Sequence, residues 1–330
     1  LLHEVEGESA THHLVLKALI HEEGLTERER AVALSRMASL LLFMRRHTEA
    51  LECAKRMHAM ATTIPECAPL LAEACTVVAG TEFTANRSFN TAPLLAEATS
   101  MLSRIADEQE RQGVDLLIAK VELITIPVDR PQQGLQVGQR VYQLMTRLGV
   151  PGRYEMLGEL PMRAARLRDG ESLRYYCNEL LNNIRQQITP PPFIALFNAV
   201  RAAHAFGDFF LARKLYSAWH GSSTPLSVRD FIARSILSAL FALDDGDTER
   251  ALGGMQAAEA EYHRHQDISG GVMWWDIFSV HTILNGLLAR ALVLSGRVAE
   301  ATQFVDQAIA NAETDGTATR YRDTIRLLTL

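Results

Sequence analysis

The chain has 330 residues, of which 48% are hydrophobic and 22% charged, and its formal charge is −6. That balance suits a globular protein with a large apolar core. Acids and bases are interspersed, so no basic block marks a nucleic-acid footprint, and no apolar run approaches the roughly 18 residues of a membrane span. No basic-apolar-small leader pattern opens the sequence, and a cytoplasmic location is expected.

Apolar residues recur at i, i+3, i+4 and i+7 along most of the sequence, and alternating strand patterns of useful length are missing. This periodicity predicts a leading helix over 8–24, then helix pairs at 26–45 with 48–63, 66–84 with 91–112, 113–127 with 131–149 and 152–168 with 171–187. It continues with 191–206 and 208–220, 226–244 and 248–266, and 271–294 and 298–314, before a last helix from about 317. The breaks are short polar, glycine or proline turns such as "TTIPECAP", "GVPGRY", "AFGDF" and "LSGRVAE". The sequence begins at Leu1, and its final stretch "YRDTIRLLTL" still reads as helix, so a segment of a longer protein is expected. One continuous domain over 1–330 is expected.

The second half is self-similar. "HAFGDFFLARKLY", "LDDGDTERALGGM" and "VLSGRVAEATQFV" superpose on Gly207, Gly246 and Gly296, and Gly170 falls in the same place, giving intervals of 37, 39 and 50 residues. Glycine supplies a left-handed residue at a helix C-terminus. Five positions on stand Ala212, Ala251 and Ala301, small enough for two helices to approach closely. The 50-residue interval predicts an extended hairpin over 248–294 that breaks the regular outline and offers a contact surface.

The segment "LLARALVLSGRVAEATQFVDQAIANA", residues 287–312, resembles a tetratricopeptide repeat through Ala289, Gly296, Ala301, Val305 and Ala308. "SALFALDDGDTERALGGMQAAEA" matches through Ala239, Gly246, Ala251, Met255 and Ala258. The family's tryptophan and terminal proline positions are not kept, and the repeats between 66 and 190 are degenerate. The array is similar to the divergent tetratricopeptide-like arrays of bacterial regulators, such as MalT-type transcription factors and some signalling enzymes. The resemblance implies an all-α, right-handed superhelical solenoid of antiparallel helix hairpins. It also implies a non-catalytic interaction and regulatory module, whose binding controls an attached output domain through curvature or dimerisation. The partner would be a protein, a peptide or a small-molecule effector, and the module could also pair with itself. The alternative is an assembly scaffold with no effector.

Few motifs in the sequence carry chemistry. The glycine pairs in "SGGV" and "ALGGM" lack the lysine and Ser/Thr of a phosphate loop, and neither HExxH nor GxSxG occurs. His12 with His13, and His263 with His265, diverge by about 100° and 200° on a helix, so neither pair shares an ion readily. "DDGD" lacks the ligand alternation of a calcium loop. The four cysteines, Cys53, Cys67, Cys75 and Cys177, follow no zinc spacing and read as reduced structural thiols. No catalytic residue, metal or cofactor is expected.

By the resemblance, the first helix of each pair lines a groove. The matching positions are Ile194, Phe197, Arg201 and His204, then Ile236, Leu240 and Leu243, then Ile283, Gly286, Arg290 and Val293. Arg201 and Arg290 would sit at equivalent places, suited to a carboxylate or phosphate. On a helix over 272–294, Trp274 falls on the packing stripe of Leu284, Leu288 and Leu292. Trp275, next to Asp276, falls on the groove side near Gly286.

Overall fold

The computed structural model describes residues 13–22, 24–44, 46–64, 67–86, 88–126, 130–150, 153–186, 193–220, 228–266 and 280–314. The described residues form an all-α repeat of helix hairpins in which helices pack in neighbouring pairs. Two compact units divide it, Leu1–Arg153 and Tyr154–Leu330.

The first unit holds α1 (13–21), α2 (Glu27–Phe43), α3 (His47–Thr63), α4 (Ala68–Ala85), α5 (Ala92–Met101), α6 (Glu108–Thr125) and α7 (Pro131–Arg147). A capping box opens α2: the Thr26 amide donates to Glu29 Oε2 at 2.8 Å, and the Glu29 amide donates back to Thr26 Oγ1 at 3.3 Å. Helix α4 is the centre of the unit, packed by α2, α3, α5 and α6. Its composition suits that place. Ala72, Ala74, Ala79 and Gly80 leave room for four neighbours, and Thr76 and Thr81 return their hydroxyls to the carbonyls of Ala72 and Val77, both at 2.7 Å. A Cβ on Gly80 would stand 3.3 Å from Val121, so α6 crosses close to it.

One helix departs from the expected pattern. The expected helix over 91–112 ends at Met101, passes through one 3₁₀ turn (Leu102–Arg104) and an extended Ile105, and restarts as α6 at Glu108. The cause is a cap. Asp107 accepts the Glu110 amide at 2.7 Å, which starts a new helix, and Ile105 is buried at the bend. The expected boundary between residues 112 and 113 falls inside α6.

The second unit holds α8 (Arg153–Arg166), α9 (Gly170–Gln186), α10 (Phe193–Phe206), α11 (Phe209–His220), α12 (Val228–Asp244), α13 (Thr248–Gln266), α14 (Val280–Leu294) and α15 (Val298–Thr314). Three of its hairpin turns are built on the expected glycines. Gly207, Gly246 and Gly296 have φ of 95°, 76° and 77°. Each closes a Schellman motif. At the first, the Gly207 amide donates to the His204 carbonyl and the Asp208 amide to the Ala203 carbonyl, both at 2.9 Å. The next residue then opens the following helix. Asp208 accepts the Leu211 amide at 3.1 Å, and Asp247 accepts the Arg250 amide at 3.1 Å. Ala212, Ala251 and Ala301 are buried at the crossings, as expected.

Gly170 does not share this role. The left-handed residue of the α8–α9 turn is Arg168, with φ 57°, and Asp169 caps α9 by accepting the Ser172 amide at 3.0 Å. In the corrected register, Arg168, Gly207 and Gly246 recur at intervals of 39 residues, and Gly296 follows after 50. Gly170 is small for another reason: a Cβ there would meet the Phe206 ring at 2.9 Å. Closer still is Gly158 on α8, whose Cβ would stand 2.6 Å from the Ala195 Cα of α10. There the two backbones touch.

The expected starts at 8 and 271 and the last helix from 317 involve residues outside the described set, as do Trp274, Trp275 and Asp276. No helix among the described residues is long and apolar enough to cross a membrane.

Candidate functional site

The face carried by the first helix of each hairpin was the expected groove. Most of its apolar members are packing residues. Phe197 and Ile283 are each 2% exposed, and Ile194, Ile236, Leu240 and Leu243 are buried as well. The reason is coverage: α10 meets α9, α11 and α12, and α14 meets α12, α13 and α15. Neither Phe197 nor Ile283 therefore presents a surface to a ligand.

The polar members stand differently. Arg201 is half-buried on α10, its guanidinium 5.3 Å from the centre of the Phe197 ring. The buried ring thus supports a cation at the surface, and a cation over an aromatic face is attracted by the ring quadrupole. Arg290 is half-buried on α14. Arg201 lies six residues before Gly207 and Arg290 six before Gly296, so the two are equivalent in the register set by the left-handed turns. His204, one turn on from Arg201, meets Asp244 at the end of α12, with Nε2 2.7 Å from Oδ2. Its ring stands edge-on to Phe209 at 5.1 Å between centroids. His204 therefore ties one hairpin to the next.

The fold also places charged joints that periodicity alone did not reveal. Arg174 on α9 reaches Asp208 at the next turn, 3.2 Å away, and Arg213 on α11 reaches Asp245 at the turn after that, 2.7 Å away. Both arginines stand six residues after a left-handed turn residue, Arg168 and Gly207. At the third such position stands Leu252, which packs with Ala289, Leu292 and Ala301 instead. The ion-pair joint gives way to an apolar one where the interval lengthens. Deeper in α12, Asp230 and Arg234 form a buried pair at 3.0 Å, with the guanidinium 5.2 Å from the Trp219 ring. A signal for the first two joints was legible in the sequence: an arginine six positions past a turn, and an acid at the next turn.

In the first unit, the break between α5 and α6 opens a polar cleft of about 400 Å³, lined by Leu102, Glu108, Arg111, Asp115, Leu144 and Arg147. Arg111 is already paired with Glu108, and Asp115 with Arg140. The cleft's charges are thus largely satisfied internally.

All four cysteines are free thiols. Burial pushes the Cys177 thiol up to about 12, with the Asp208 charge adding to it.

No family model matches the sequence, and no curated protein matches it. Among solved structures it is similar to a Rap protein complexed with Competence and Sporulation Factor, at 13% identity and a TM-score of 0.40, over 98% of this chain and 97% of that one.

Proposed function

We propose that the protein is a non-catalytic interaction module that takes a protein or peptide partner on the first-helix face of its second unit. The observation that carries this reading is the equivalence of Arg201 and Arg290, two half-buried arginines at matching places on α10 and α14. An arginine held against a ring loses little freedom when it binds, and its planar fork suits a carboxylate. The partner's chemistry is therefore that of an acidic peptide or a terminal carboxylate. In the wider reading, this binding regulates an output domain of a bacterial signalling or transcription-regulating protein in the cytoplasm. The assembly scaffold with no effector is the second reading, favoured by the closed apolar face of α10 and α14.

The test is selection of peptides from a random library displayed against the whole protein. Selected peptides should carry acidic residues, and their affinity should drop about tenfold or more for the Arg201→Glu, Arg290→Glu double variant, matching the loss of a charge-assisted pair of about 1.5–3 kcal/mol. Helicity and Tm report that the variant folds. Peptides that bind the double variant as well as the parent protein would remove the groove reading. Failure to select any peptide favours the scaffold.

A further inference from the structure

Three donor side chains of the first unit converge from three different helices. His58 comes from α3, Cys75 from α4 and Glu97 from α5, and one ligand atom of each lies within 4.8 Å of the other two. Cys75 is fully buried, His58 is half-buried and Glu97 is exposed. The His58 Nε2 is shut away from solvent and has no hydrogen-bond partner. A buried imidazole nitrogen without a partner is an unsatisfied polar group that calls for an explanation. The Cys75 thiol is pushed up to about 12, first by burial and then by the charge of Glu97, to which it also hydrogen-bonds. The cluster thus holds a proton between sulfur and carboxylate while an imidazole nitrogen beside it goes unused.

We propose that His58, Cys75 and Glu97 are the three protein ligands of a divalent-metal site of the zinc class, with the fourth position open to water on the Glu97 side. The donor set fits that ion. A thiolate and an imidazole favour borderline-soft zinc over calcium or magnesium, which take oxygen ligands. Neutral imidazole, thiolate and carboxylate together balance a charge of two. On binding, the Cys75 proton leaves to solvent, the S–H bond is replaced by a sulfur–metal bond, His58 Nε2 gains a partner and nothing is oxidised. Zinc bonds of about 2.0–2.3 Å place tetrahedral ligand atoms about 3.5 Å apart, so the three groups draw together by about 1 Å. Helix α4, which carries the sulfur, packs against both α3 and α5, which carry the other two ligands.

The experiment uses the whole protein, freed of metal with a chelator and titrated with cobalt(II). The expected result is saturation at one equivalent, with thiolate-to-cobalt charge-transfer absorption and tetrahedral ligand-field bands that zinc abolishes by displacement. Cys53→Ser, a change of another thiol on α3, should leave the spectrum intact, and Cys75→Ser should remove the charge-transfer band. His58→Gln and Glu97→Gln should each weaken cobalt at least about tenfold, as loss of metal-site groups does. Glu97 is exposed, so its variant reads the site even if the buried Cys75→Ser does not fold. A protein that gives no charge-transfer band at saturating cobalt overturns the proposal. So does a band that survives Cys75→Ser, or an affinity unchanged in both His58→Gln and Glu97→Gln. In any of these cases the cluster is a thiol–carboxylate hydrogen bond beside an orphan histidine.

Discussion

Gly207, Gly246 and Gly296 take the left-handed conformation at the ends of α10, α12 and α14. All three were legible, because a helix that stops at glycine and restarts at once has few other solutions. The equivalent residue after α8 was not. Arg168 occupies the left-handed region without being glycine, and the nearby Gly170 drew the register two residues astray. A Cβ in the left-handed region costs roughly 1–2 kcal/mol. Arg168→Gly is therefore expected to hold or raise Tm, whereas Gly246→Ala should lower stability by about 1–2 kcal/mol. Thermal melts of the two variants side by side check the assignment. Equal losses would mean that Arg168 is retained for its side-chain contacts.

At the scale of elements, close crossings decide how the helices stack. Gly158 lets the backbone of α8 touch that of α10 at Ala195. Gly158→Ala must push two backbones apart, since the atoms it would meet are all main-chain atoms that cannot swing away. The expected loss is about 1–3 kcal/mol by denaturant titration, in the range of overpacked cores. Gly113→Ala, in open space on α6, should instead gain up to about 1 kcal/mol from helix propensity. Element order and most boundaries followed from the 3.6-residue period. The split of the 91–112 helix did not, because no glycine or proline marks it: an aspartate cap and a buried isoleucine make the break. The groove fared similarly. Periodicity assigned Phe197 and Ile283 to a face, but only the packed neighbours reveal that the face is covered there. The equivalence of Arg201 and Arg290 was readable because the glycines fix it. The meeting of His58, Cys75 and Glu97 was not, since intervals of 17 and 22 residues across three helices match no local ligand pattern.

Over the whole molecule, two buried thiols make stability depend on alkaline pH. Cys75 in the first unit and Cys177 in the second are both pushed from 9.0 up to about 12. The folded protein keeps these protons where the unfolded one loses them. Their contribution is fully present below pH 9.0 and declines as pH rises from there towards about 12. Metal-free protein should show an unfolding free energy that falls across this window, and Cys177→Ser should fall less steeply. Parallel slopes for the two proteins would contradict the buried-thiol account.

The dual use of Asp169, Asp208 and Asp247 has a consequence for how such an array can change. Each of these residues completes the closing motif of one helix and caps the next, so the tight turn contains no spare position. An insertion there breaks two helix ends at once. The extra length of the last interval lies elsewhere: α13 runs 19 residues where α11 runs 12, and 13 residues separate Gln266 from Val280 where seven separate His220 from Val228. In the second unit the turns that carry these aspartates are therefore fixed in length by their own hydrogen bonds, and the one longer interval takes its extra residues outside them.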